Sequence, residues 1–162
     1  MSLFSVPSLR NAVAKAAIGD VFDFLANGGD GKIDILSGKK EQSLMRLNSG
    51  GFVAPAPGPL QVLSADRSTG RVVFGYHAEI WKPVGGSFVA DVSAEVSLFA
   101  VGASTLIRFK LGAGGVFNPI GNKMMMVVLA ALKSKFGIRN ATKAEQIAVD
   151  EAQQAASQQQ AR

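Results

Sequence analysis

The chain has 162 residues, 48% of them apolar and 18% charged, and its 17 Lys and Arg against 12 Asp and Glu give a net charge of +5. That length suits one domain around one core, and a chain so rich in apolar residues and lean in charge is not an intrinsically disordered one. The basic residues are scattered rather than gathered on one face with aromatics, which argues against nucleic acid as a partner; the absence of cysteine removes disulfides and thiolate metal sites, the single histidine argues against a His-based metal centre or triad, and no apolar run reaches the length of a membrane span.

The first 19 residues, MSLFSVPSLRNAVAKAAIG, carry Arg10 and Lys15 but no acid, and they space Leu3, Val6, Leu9, Val13 and Ala16 in a helical manner. The same composition occurs in transit peptides and interfacial helices, but the expectation is an amphipathic segment that belongs to the fold. Ile18, Val21, Phe22 and Leu25 then stand at i, i+3, i+4 and i+7 and predict a helix, stopped by the turn residues at 27–31. Strands are expected at 32–36 and 41–47. The stretch NSGGFVAPAPGP, with three prolines and three glycines, is expected to be a loop throughout.

From residue 60 the period changes to two. After a strand at 60–65, RVVFGYHAEIW sets Val72, Phe74, Tyr76, Ala78 and Ile80 on one side and His77 and Glu79 on the other. FVADVSAEVSLF places Phe88, Ala90, Val92, Ala94, Val96 and Leu98 against Asp91, Ser93, Glu95 and Ser97, and STLIRFKLG places Thr105, Ile107, Phe109 and Leu111 against Arg108 and Lys110. Three half-buried antiparallel strands follow from this alternation. Gly102-Ala103 fits a two-residue type II′ hairpin, which puts Val101 opposite Ser104, Ser97 opposite Arg108 and Glu95 opposite Lys110, the last as an ion pair on the outer face. Across the KPVGGS connection, one permitted register sets His77 opposite Asp91.

Asn118 and Pro119 read as the N-cap and first residue of a long helix that runs to Phe136, where Gly137 can end it. Within it Met124 to Leu132 is an unbroken apolar run. Met124, Val127, Val128 and Ala131 can pack on the sheet, while Met125, Leu129, Leu132 and Phe136 need cover from the N-terminal Leu3, Phe4, Val6 and Leu9, from another chain, or from lipid. Thr142 and Glu145 form a capping-box pair that opens a polar helix, KAEQIAVDEAQQAASQQQ, too poor in apolar surface to fold alone. The organisation expected is a single α+β domain over 1–139 and a polar helical tail over 140–162.

A sequence of VLSADRSTGRVVFGY, then EVSLFAVGASTLIRFKL, then NPIGNKMMMVVLAALKSKF resembles the second half of the helix-grip superfamily, which includes START domains, Bet v 1-like plant proteins and polyketide cyclase-like proteins. The resemblance implies a curved antiparallel sheet wrapped on a long C-terminal helix, with a cavity between them for an apolar ligand. The lining it implies is Phe74, Tyr76, Val92, Val96, Ile107 and Phe109 from the sheet and Met124, Met125 and Val128 from the helix. Methionine suits such a wall because its unbranched chain adapts to varied shapes. The alternative is that the same side chains simply fill the core.

For chemistry, His77, Glu79 and Asp91 are the right residue types for proton transfer, but parity puts them on the face opposite Phe74 and Tyr76, where a solvated cross-strand pair is the expectation. The clusters GGDG, VGG and GAGG match no phosphate-binding motif, and GGDGKIDIL lacks the alternate oxygen ligands of a calcium loop. No catalytic residue, metal or cofactor is assigned. The expected function is a non-catalytic binding module or carrier for an apolar, lipid-like or polyketide-like small molecule. The alternative is a subunit of a larger assembly, or a homo-oligomer, that uses residues 1–20 and the 140–162 tail as contacts. The expected compartment is the cytoplasm, with an organellar or peripheral-membrane location as the alternative.

Overall fold

A computed structural model of the protein describes residues 11–29, 44–46, 52–55, 60–111 and 118–160. The strand expected at 32–36, and Leu3, Phe4, Val6 and Leu9, lie outside these residues. In chain order the elements are β1 (Asn11–Ala14), α1 (Ile18–Ala26), β2 (Leu44–Arg46), β3 (Val53–Pro55), β4 (Gln61–Asp66), β5 (Arg71–Trp81), β6 (Ser87–Val101), β7 (Ser104–Leu111), α2 (Asn118–Phe136), β8 (Ile138–Asn140) and α3 (Lys143–Gln160). All strands join one antiparallel sheet in the order β2-β3-β5-β6-β7-β1-β8, with β4 pairing along β5 beside β3. An N-terminal strand beside the last strand of a meander, with a long helix on the inner face, is consistent with a helix-grip-like fold.

Two expectations are corrected. The helical spacing of the N-terminus does not hold at Val13, because Asn11–Ala14 is a strand bonded on both sides, with Val13 opposite Leu106 of β7 and Arg139 of β8. Two ladders satisfy the backbone of a four-residue segment whose intrinsic preference is weak, so pairing overrides spacing. The proline-rich stretch is not loop throughout either: Val53–Pro55 pairs with β2 and meets β5 at Val53 and Trp81. Proline, which cannot donate to a ladder, sits at the end of that strand, where the loss is tolerated.

The meander follows its alternation. Val72, Phe74, Ile80, Val92, Ala94, Val96, Leu98, Ile107 and Phe109 are all buried in one core. The β6–β7 hairpin takes the expected register, with Gly102 at φ +62° and Ala103 not at positive φ, the combination of a II′ turn. Glu95 stands opposite Lys110, yet its carboxylate pairs with Arg71 of β5 at 3.6 Å. On the inner face buried Thr105 donates its hydroxyl to the Ala16 carbonyl at 2.8 Å and so fixes the turn from β1 into α1.

The apolar run of α2 is buried on two sides rather than all round. Met124, Met125 and Leu132 are fully buried, and α2 lies against β6, β7 and β1. Cover for its second side comes from α1, whose Phe24 meets Phe136 edge to face at 5.5 Å. Met126 remains 50% exposed, beside exposed Ala130.

The outer face of the sheet carries a second, smaller core. Phe99, Leu106 and Val13 stand in one row across β6, β7 and β1, and Val149 of α3 is buried on them. Polar groups frame this contact. Arg108 donates to Asp150 and Gln153 of α3 at 2.6 Å each and to Asn11 of β1 at 2.8 Å. The capping box forms, with Thr142 N–H donating to Glu145 at 2.9 Å and Glu145 N–H to the Thr142 hydroxyl at 3.1 Å. Arg139 adds a two-pronged pair to the same carboxylate at 2.8 and 2.7 Å, which holds Glu145 down to about 2 and its own guanidinium above its usual range.

Candidate functional site

Strand β6 outruns β5. The β5–β6 ladder ends at Arg71 opposite Ser97, and Leu98 N–H is taken by the Gly70 carbonyl at 2.8 Å. Gly70 sits at φ +67°, and a Cβ there would stand 2.9 Å from the Leu98 carbonyl oxygen, so this close turn needs glycine. Beyond it Phe99 to Val101 pair only with β7 among the described residues. Strand geometry then turns the N–H and C=O of Ala100 toward the open side.

Into that notch come α3 from the outer face and the start of α1 from the inner. The cavity between them measures about 590 Å³ and is lined by Leu98 to Val101 of β6, Ile18 of α1, and Ala144, Glu145, Ala148, Val149 and Ala152 of α3. Apart from Glu145 every side chain in this wall is apolar, and that carboxylate is already committed to Arg139 and Thr142. The small alanines on one face of α3 leave the space, and Val149 holds the helix at the distance that keeps it open. The volume lies within the usual range of small-molecule pockets.

A second cavity of about 210 Å³ adjoins the first, sharing Ile18 and Leu98, and is lined further by Gly19 and Phe22 of α1 and by Arg67, Ser68, Thr69 and Gly70 of the β4–β5 turn. Arg67 lies over the Phe22 ring at 4.8 Å and donates to Asp23. Ser68 donates to the Asp66 carboxylate at 2.6 Å, the main reason Asp66 is held below the usual carboxylate range.

The nine residues implied by the helix-grip resemblance lie elsewhere. Phe74, Val92, Val96, Ile107, Phe109, Met124, Met125 and Val128 come together between sheet and α2, none more than 4% exposed, in one packed cluster. Tyr76 is half-buried at its margin, and burial pushes its phenol above the usual value. None of the nine lines the notch cavity. His77 does stand opposite Asp91, its Nδ1 2.6 Å from the carboxylate, but both side chains are largely exposed, as a solvated cross-strand pair should be. Among the described residues no three His, Asp or Glu side chains gather for a metal.

Sequence reasoning missed the notch, though a signal was present. Phe99, Val101 and Leu106 are apolar residues in the polar phase of their strands, which marks a second buried face at one end of the sheet.

No family model and no curated protein matches the chain. Among solved structures it is similar to the crystal structure of CalU16 from Micromonospora echinospora, with 11% identity over 76% of this chain and 82% of that one and a TM-score of 0.35. A superposition that loose carries no inference about ligand or activity. Among the described residues no helix is long and apolar enough to cross a membrane.

Proposed function

We propose that the protein is a non-catalytic binding module of helix-grip type that carries an apolar small molecule, held in the notch beyond the end of β5 under α3. The observation that carries this reading is the cavity of about 590 Å³ whose lining side chains are all apolar except Glu145. The division into a body, 1–139, and a tail, 140–162, serves it: the body offers the strand edge and the tail closes over it. One buried side chain, Val149, and a few polar contacts, each with one partner at least partly in solvent, hold that closure, so the helix can leave and return without opening the main core.

The second reading, a subunit of a larger assembly, draws on a different observation. Trp81, Val84 and Val89, at the β5–β6 hairpin, are 45%, 88% and 53% exposed. Native mass spectrometry of the full chain and of a chain lacking residues 142–162 separates the two. The carrier reading expects the full chain to retain an apolar ligand and the shortened chain to lose it, with the number of chains per particle unchanged. A partner chain held by the full chain and lost on Val84→Ser with Val89→Ser, with no small ligand bound in any of the chains, would install the subunit reading instead.

A further inference from the structure

The two adjoining cavities differ in chemistry, and their order along the notch gives the carrier reading a ligand class. From the α3 end to the turn end the wall runs from Ala152, Ala148 and Val101 through the shared Ile18 and Leu98 to Arg67, Ser68 and Thr69. Each end holds an ion pair, Glu145 with Arg139 at one and Arg67 with Asp23 at the other, but different members of the pairs line the wall. At the α3 end the charged group in the wall is Glu145, an acceptor whose oxygens are already occupied, and it has nothing to offer an anion. At the turn end it is Arg67, which gives one nitrogen to Asp23 and has the rest of its five N–H donors uncommitted among the described residues. Its guanidinium lies over Phe22 at 4.8 Å while the side chain stays 63% exposed, which places its donors at the mouth of the smaller cavity.

Resting on the carrier reading, we infer that the ligand is an amphiphile with a single anionic head of carboxylate type, its chain in the apolar cavity and its head beside Arg67 in the smaller one. Arg67 offers a carboxylate the planar fork that such groups accept. Asp23 competes for the same guanidinium and sets the affinity: it keeps Arg67 in place when the site is empty and yields part of it when the head arrives.

The test compares dodecanoate and dodecanol, which share a chain and differ in the head, by calorimetric titration of the full chain. Dodecanoate is expected to bind about tenfold more tightly than dodecanol. Arg67→Gln should remove that preference and leave dodecanol unchanged, Arg67→Lys should restore part of it, and Asp23→Asn should strengthen dodecanoate alone. Ala148→Trp and Ala152→Trp, both at exposed helix positions, fill the apolar cavity and should abolish binding of both compounds. Loss of both in the Trp variants with no preference for dodecanoate, or a preference that survives Arg67→Gln, overturns this inference and leaves the carrier reading in place. Binding of both compounds that persists in the Trp variants overturns the site itself, and with it the carrier reading. Binding of inorganic phosphate as strong as that of dodecanoate would reduce the turn end to a simple anion site and also overturn the inference.

Discussion

Docking of α3 rests on Val149, and Val149→Ala measures it. Val149 is 4% exposed against Val13 and Leu106, both fully buried. Removing two methyl groups costs about 1.6 kcal/mol at about 0.8 kcal/mol per buried carbon. Alanine is the better helix former and returns about 0.6 kcal/mol of that. The remaining contacts are the Arg108 and Arg139 pairs, which the substitution leaves in place, so they contribute equally to the parent and the variant. The docking equilibrium should therefore shift by about 1 kcal/mol, or about fivefold in the open fraction. Native-state hydrogen exchange reads this directly: amides of α3 should exchange about fivefold faster, while those in the centre of β5 and β6 stay as they are. Ile147→Ala, at a half-exposed position two residues away, is the control and should change little. Equal acceleration in α3 and β6 would mean that the helix opens only with the whole fold, and no acceleration would mean that Val149 is not its anchor; either result refutes the argument.

Two neighbouring methionines of α2 should behave oppositely. Met125→Asp places a lone carboxylate where exposure is 0% and should lower the melting temperature severely or prevent folding, whereas Met126→Asp, at 50% exposure, should alter stability by no more than about 0.5 kcal/mol; indistinguishable thermal melts for the two would show that the helix faces are assigned wrongly. A third expectation concerns acid. Glu145 is held at about 2 in the folded chain by Arg139 and the Thr142 amide, below its ordinary value of 4.5. A depressed carboxylate adds stability above its unfolded value and loses it as the folded group is protonated, so the start of α3 should loosen progressively as pH falls from about 4.5 toward 2. Far-ultraviolet dichroism of the chain and of Glu145→Gln would check this, since the variant should show no such local step.

Much of the body was legible because its signals are local. Alternation in 71–111 named the inner face, Gly102-Ala103 set the register of β6 against β7, and Thr142 with Glu145 marked the start of α3, each through contacts between residues close in the chain. Other features depended on partners far away. Val13 has a helical spacing in the sequence and a strand in the fold, because β7 and β8 supply the ladders that a four-residue segment cannot supply for itself. The polar tail became an ordered helix because Leu106, Phe99 and Val13 form an apolar row only once three strands lie side by side. The candidate site is the clearest case. The sequence by itself determined that apolar side chains would gather between the sheet and α2, and they do. Only the tertiary structure decided that β6 outruns β5, that α3 packs beside the end of β6, and that Arg67 stands at one end, since a cavity is the space left between elements and no single stretch of chain encodes it.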